Sequence, residues 1–258
     1  MGGDAKRSAV ELYESCAFDQ LLGESLRPGG LGLTARVADI AGVAQNSTVL
    51  DIACGKGTTA VFLAGKYGCE VVGIDLSDKM IDLCRLKIEG NDQLSVLRGD
   101  AEALPFCAGS FDVVISECSF SLLPDKETAA AEIFRVLKSG GKLVMTDIIL
   151  RGEVSRELRG QVTFACCLAG AWRAEEYIGL LERVGLRYPY LEDHSAELTQ
   201  VAYQLGMAFG SIDNFAGSLP PGPCRRKGEE KAMASTESYQ EFVRAARPGY
   251  ALLAVTKP

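Results

Sequence analysis

Short apolar, β-branched runs alternate along the chain with stretches of helical periodicity. Thr48-Val49-Leu50-Asp51-Ile52-Ala53 predicts a strand, and residues 55–66 predict a helix opening from a glycine turn. Glu70-Val71-Val72-Gly73-Ile74-Asp75 predicts a second strand. Residues 79–88 place apolar side chains at 80, 81, 83, 84, 86 and 88, a helix with one buried face. Residues 94–97 and 111–116 predict strands three and four. Residues 126–137 predict a helix closed by Ser139-Gly140-Gly141, and residues 142–150 a fifth strand. Strands that alternate with helices form parallel sheets covered on both faces, and nearly all-apolar strands fit burial on both sides.

Beyond residue 150 the pattern loosens. Residues 173–184 predict a helix, Gly185-Leu186 opens a sixth strand ending at Leu191, and 196–217 is helical. Residues 218–237 contain Leu219-Pro220-Pro221-Gly222-Pro223-Cys224 and predict a loop; Tyr250 to Val255 predicts the last strand. The expected fold class is α/β: a Rossmann-like, seven-stranded, mostly parallel sheet with helices on both faces. An N-terminal helical extension covers 1–45, with a turn-rich break at Arg27-Pro28-Gly29-Gly30-Leu31. The main domain takes 46–195 and 246–258, and 196–245 is a helical and loop insertion covering the active site.

Composition narrows the function. A length of 258 residues with 47% hydrophobic positions suffices for one large α/β core. No run approaches the ~18 apolar residues of a membrane helix, and the polar start Met1-Gly2-Gly3-Asp4 lacks a signal-peptide core, so a cytoplasmic location is expected. The net charge of −7 repels phosphate backbones, which argues against a nucleic-acid partner. Nine cysteines include no CxxC pair and are read as thiols, and His194, the one histidine, has no flanking ligands, so no metal is expected.

Two segments carry candidate chemistry. Asp51-Ile52-Ala53-Cys54-Gly55-Lys56-Gly57 joins a strand to a helix through glycines, which let a ligand lie against bare backbone beside free helix N–H groups. Asp75 ends the second strand 20 residues after Gly55, the spacing at which a carboxylate accepts from ribose hydroxyls. Gly55-x-Gly57-x-x-Ala60 also fits a dinucleotide fingerprint, so a nicotinamide-dependent oxidoreductase competes. Asp51 argues against it, because a carboxylate repels a pyrophosphate but attracts an ammonium or a sulfonium. Asp100-Ala101-Glu102 after the third strand offers acceptors for an adenine amino group, and the chain ends without a second mononucleotide-binding half.

The order Leu50-Asp51-x-x-Cys54-Gly55-x-Gly57, Val71-x-Gly73-Ile74-Asp75-x-Ser77-x-x-Met80, Gly99-Asp100-Ala101-Glu102-x-Leu104-Pro105-Phe106, Phe111-Asp112-Val113-Val114 and Glu132-Ile133-x-Arg135-Val136-Leu137-Lys138-x-Gly140-Gly141-Lys142 resembles the class I S-adenosylmethionine-dependent methyltransferases. It is similar to the branch holding the ubiquinone/menaquinone, sterol and arsenite enzymes, over residues 48–150. The resemblance implies a last strand antiparallel to the rest and S-adenosylmethionine as cofactor, with S-adenosylhomocysteine as product. It implies Asp51, Ala53, Cys54, Gly55 and Gly57 at the methionine end, with Asp75 on the ribose. Leu76 and Met80 would lie beside the adenine, Asp100, Ala101 and Glu102 at its edge, and Glu117 and Ser119 along the site after strand four. The family usually has glycine where this chain has Ala53.

Phe164-Ala165-Cys166-Cys167-Leu168-Ala169-Gly170-Ala171 is similar to a cysteine segment of arsenite methyltransferases, and soft thiolates suit a trivalent metalloid. Those enzymes use further cysteines; none follows the glycine loop here, and Cys224 is a candidate of unknown register. Arg27 to Thr34 is similar to a bacterial methyltransferase branch. Trp172 and Tyr177 are candidate pocket aromatics, and Tyr13, Tyr203, Glu117 and His194 candidate general bases. The expected function is methyl transfer to a small-molecule acceptor by in-line displacement; a non-catalytic S-adenosylmethionine-binding protein is the other alternative. Neither the acceptor, a catalytic residue nor the oligomeric state is legible.

Overall fold

The computed structural model describes residues 2–14, 27–160, 167–209 and 236–258. Helices α1 (Gly2–Tyr13) and α2 (Gly30–Ala41) precede the sheet. There follow β1 (Thr48–Ile52), α3 (Thr58–Tyr67), β2 (Glu70–Asp75), α4 (Asp78–Ile88), β3 (Leu94–Arg98) and β4 (Phe111–Glu117). After a single 3-10 turn at Phe120–Leu122 come α5 (Lys126–Val136), β5 (Leu137–Leu150), α6 (Arg156–Gly160), α7 (Ala174–Arg183) and β6 (Arg187–Asp193). Helices α8 (Ser195–Phe209) and α9 (Thr236–Ala246) lead to β7 (Pro248–Thr256).

The seven strands form one sheet in the order β3-β2-β1-β4-β5-β7-β6. Strands β1 to β5 pair in parallel, and β7 runs antiparallel to both β5 and β6. Alternate residues supply two cores. Val49, Val113, Ile115, Val144 and Leu252 face the side covered by α2, α3 and α9. Leu50, Val114, Leu143, Met145 and Leu253 face α5 and α7. That period of two is the pleat of a strand whose two faces are both buried. The order reverses between β1 and β4, which opens a crevice at their carboxyl ends.

Three expectations are corrected. Ser139-Gly140-Gly141 lies inside β5, because α5 closes at Leu137. Gly141 instead permits a close crossing: a β carbon there would meet Lys138 O at 2.9 Å and Asp112 O at 3.0 Å. Gly30 and Leu31 belong to α2, so the break at 27–31 is only the turn before that helix, with Gly29 in the left-handed region at φ 79°. Thr236 and Glu237 begin α9 rather than end a loop. The rest of the expected 218–237 loop, the expected helix beyond Phe209, and Cys16, Cys166 and Cys224 lie outside the described residues. Among the described residues, no helix is long and apolar enough to cross a membrane.

Candidate active site

The crevice holds a pocket built from four strand ends, with α1 laid across it. At the end of β1 the chain turns through Ala53 (φ 57°), Gly55 (φ 52°) and Gly57 (φ 76°) before entering α3. Two of these left-handed residues are glycine, which adopts that region at little cost. Ala53 is not, so its methyl sits on a backbone costing about 1–2 kcal/mol. At the end of β2, Asp75 ties the loop down. Its Oδ2 accepts the Gly55 N–H at 2.9 Å and its Oδ1 accepts the Ser77 N–H at 2.9 Å. Ser77 then caps α4 by accepting the Met80 N–H at 3.0 Å. Burial pushes the Asp75 carboxyl up, against the lowering effect of those N–H groups.

Asp51 lies beneath the loop, 2% exposed, and its Oδ2 has no hydrogen-bond partner. Burial, reinforced by the neighbouring Glu117 charge, holds its pKa well above the ordinary carboxylate range. A buried acceptor without a partner is costly, and a cationic ligand would relieve that cost. Glu117, at the end of β4, is clamped. It accepts Thr34 Oγ1–H at 2.9 Å and Thr59 Oγ1–H at 2.6 Å, and Arg27 Nε lies 3.0 Å from its Oε1. Cys118 follows at φ 55°. Ser119 Oγ lies 2.8 Å from Ser116 Oγ.

Helix α1 is fastened at both ends. Lys6 Nζ donates to Asp100 Oδ2 at 2.7 Å and to Glu102 Oε2 at 2.5 Å. Burial pulls the Lys6 pKa down, but these carboxylates outweigh it and leave it raised. Just past the helix, Glu14 accepts Ser77 Oγ–H at 2.5 Å, and its carbonyl accepts from Lys79 Nζ at 2.6 Å.

Of the expected site residues, Ala53, Cys54, Gly55, Asp75, Leu76, Met80, Asp100, Ala101, Glu117 and Ser119 line the pocket. Asp51, Gly57 and Glu102 do not line it. Gly57 backs onto Cys84, and Glu102 divides its carboxylate between Lys6 and the Asp125 N–H. Of the four candidate bases, Tyr13 and Glu117 reach the pocket. His194 lies between Glu192 and Glu197 at the end of β6, and Tyr203 is exposed on α8. Trp172 and Tyr177 stack on each other outside the pocket at 5.7 Å between centroids. No group of three or more His, Cys, Asp or Glu poised for a metal occurs among the described residues.

Sequence reasoning missed Lys6, Arg27, Thr34, Thr59 and Cys118. Cys118 and Cys167 are the notable pair: the Cys167 thiol donates to the Cys118 carbonyl at 3.5 Å and lies 3.0 Å from Tyr13 Oη, and the neighbouring Cys167 thiol together with burial pushes the Cys118 pKa up. Cys118 and Tyr13 both line the pocket.

Residues 50–145 match the family model described as a methyltransferase domain. A methyltransferase from Streptomyces halstedii, GfsG, is 29% identical over 241 residues, 91% of this chain and 83% of that protein. An arsenite methyltransferase from Aquipseudomonas alcaligenes is 30% identical over 191 residues, 69% of this chain and 54% of that protein. The chain thus spans about half the length of several curated relatives it matches. A phosphoethanolamine N-methyltransferase from Haemonchus contortus, solved with S-adenosyl-L-methionine, has the same fold. Its TM-score is 0.73 at 20% identity, over 94% of this chain and 56% of that one. Residues 50–145 thus carry a methyltransferase domain, set in a seven-stranded fold that the chain shares with a methyltransferase solved with S-adenosyl-L-methionine.

Proposed function

We propose that this protein transfers a methyl group from S-adenosylmethionine to a small-molecule acceptor by in-line displacement. The observation that carries the reading is the buried, unpartnered Asp51 Oδ2 beneath a pocket built from the ends of β1 to β4. An orphaned carboxylate oxygen fits a ligand with an ammonium group and a sulfonium, and does not fit a pyrophosphate. When bound, the cofactor supplies a methyl activated by its sulfonium.

The chain's residues then bind, orient and exclude water. Asp75, both of its oxygens already fixed by backbone N–H groups, presents its remaining lone pairs to the ribose hydroxyls. Leu76, Met80 and Ala101 flank the adenine, with Asp100 at its edge. Glu117 holds the methionine end against the bare backbone of Gly55, with the Asp51 carboxyl buried beneath the loop. Helix α1 closes over the pocket and keeps water out. Calorimetric titration with S-adenosylmethionine, S-adenosylhomocysteine and NADH tests the reading. Micromolar binding of the first two and none of the third is expected; binding of NADH alone overturns it.

A second reading concerns the acceptor. Cys118 and Tyr13 line the pocket, and the Cys167 thiol behind them contacts the Cys118 carbonyl and the Tyr13 hydroxyl. Two thiols condense with a trivalent arsenic hydroxide, forming two As–S bonds and releasing two waters, so this pair favours a soft acceptor. Tight binding of arsenite that is lost in both Cys118→Ser and Cys167→Ser supports it, and binding indifferent to both changes removes it.

A further inference from the structure

Two glycines leave room for two thiols beneath the loop after β1. A β carbon on Gly57 would overlap Cys84 Sγ, and one on Gly73 would lie 2.8 Å from Cys54 Sγ. Cys54 and Cys84 pack with Ile81 in a small buried cluster, apart from the two cores of the sheet. They also meet at Gly57. Its N–H donates to the Cys54 carbonyl at 2.9 Å, and its α carbon abuts the Cys84 thiol. Cys54 lines the pocket, whereas Cys84 lies behind it on α4.

The surroundings favour thiol chemistry. Gly57 caps the N-terminus of α3, and no side chain caps the free N–H groups there. A helix N-terminus stabilises a thiolate placed against it. The adjoining Cys54 thiol lowers the Cys84 pKa, Lys87 and Arg85 add to that, and burial opposes them. The Cys54 pKa is raised by the Cys84 thiol and by burial, so the first proton leaves from Cys84.

We propose that Cys54 and Cys84 form a reversible oxidation site, closed to a disulfide by a hydroperoxide, and that the closed form releases the cofactor. The second half rests on the cofactor reading above; the first half does not. With hydrogen peroxide, two S–H bonds and the O–O bond break, one S–S bond and two O–H bonds form, and two waters leave. The thiols are oxidised and the peroxide is reduced. A dithiol reductant reverses the step by thiol–disulfide exchange. The oxidant is small and uncharged, and it reaches the pair through the pocket that Cys54 lines.

A disulfide holds its sulfurs about 2.0 Å apart, so closing it draws Cys54 toward α4. Cys54 does not move alone. Its N–H donates to the Ile74 carbonyl at 2.9 Å, its carbonyl holds Gly57, and Asp75 holds the Gly55 N–H beside it. Closure therefore shifts the Gly55 backbone and the carboxylate tied to it. Cofactor bound in the pocket covers Cys54 and protects the pair.

The test treats the full chain with hydrogen peroxide, with and without S-adenosylhomocysteine. Digested samples are mapped by mass spectrometry, and parallel samples are titrated with S-adenosylhomocysteine. The expected product is a peptide cross-linked between Cys54 and Cys84, suppressed by S-adenosylhomocysteine and removed by dithiothreitol. Affinity is expected to fall about 10- to 100-fold on oxidation, a usual span for coupling between sites, and to return with dithiothreitol. Cys84→Ser keeps its affinity through the treatment. Cys167→Ser loses affinity on oxidation as the wild type does, which separates this pair from Cys118 and Cys167. Absence of the cross-linked peptide overturns the site and leaves two cysteines that only pack. A cross-link with unchanged affinity overturns its effect on the cofactor, as does an equal loss in Cys84→Ser. The first two of these outcomes are read on the wild-type protein, so a poorly folded variant does not shield the proposal. If the untreated protein does not bind S-adenosylhomocysteine, the cofactor reading falls, while the cross-linked peptide still decides the thiol pair.

Discussion

The Sγ of Cys84 occupies the space beside Gly57: a β carbon on Gly57 would lie 2.4 Å from it. Gly57 is also left-handed, at φ 76°, and caps α3. Gly55 differs, because its φ of 52° leaves nothing within 4 Å of an added β carbon. Gly57→Ala therefore costs stability, about 2–4 kcal/mol from overpacking and backbone strain combined. Gly55→Ala costs only about 1–2 kcal/mol of strain but puts a methyl into the pocket it lines, so cofactor affinity suffers more than folding. Urea unfolding and calorimetry of the two variants check the division.

Asp75 organises two backbone N–H groups before any ligand arrives. Replacing it with alanine releases both, and is expected to weaken S-adenosylhomocysteine binding at least ~100-fold, the loss of two or more charge-assisted hydrogen bonds. Because burial raises the Asp75 pKa, wild-type affinity falls on acidification before an ordinary carboxylate would titrate. Titrations between pH 4 and 7 test this, and unchanged affinity in Asp75→Ala would remove the ribose assignment.

Lys6 fastens α1 to the far wall of the pocket through Asp100 and Glu102. Lys6→Ala removes that fastening while leaving the strand ends untouched. The expected result is S-adenosylhomocysteine release accelerated about 3- to 10-fold with little change in association, since affinity changes within one interface fall mostly on the off-rate. Stopped-flow displacement measures both rates; a slower association with unchanged release would mean that α1 does not act as a cover.

Lys126 and Asp147 are buried behind the pocket. Lys126 Nζ donates to the carbonyls of Ser121 and Leu123, and Asp147 accepts the N–H groups of Ser121 and Ile148. Burial raises the Asp147 pKa from 3.8 to about 6 and lowers that of Lys126 from 10.5 to about 8. The folded state thus holds the Asp147 proton more tightly than the unfolded state. Stability from this group is greatest below pH 3.8, falls as pH rises toward 6, and is about 3 kcal/mol lower above that. For Lys126 the unfolded state binds the proton more tightly, so stability recovers as pH rises from 8 to 10.5. Asp147→Asn is expected to gain on the wild type steadily between pH 4 and 6, as read by urea unfolding; a constant difference across that range would show that Asp147 does not titrate there.

Local pattern was enough for the strands, the helices between them and the switch point, because apolar alternation and helical spacing are short-range properties of the chain. The same holds for the placement of the glycine loop and of Asp75, which follows from strand end and spacing. Boundaries went wrong where a local cue served a distant contact: Gly140 and Gly141 resemble a helix cap, yet Gly141 is needed where β5 passes the Asp112 carbonyl. The long-range pairings in the pocket's wall were not legible. Lys6 meets Asp100 across 94 residues, Thr34 meets Glu117 across 83, and Tyr13 meets Cys167 across 154. Nothing in a lysine, threonine or tyrosine on a helix announces such a partner, because each pairing depends on how α1 and α2 dock on a sheet whose strands come from elsewhere in the chain. Sequence spacing places the groups carried by the strand ends; only the packing of the helices over them decides which charges are paired, which carboxylate is left alone, and where two thiols meet.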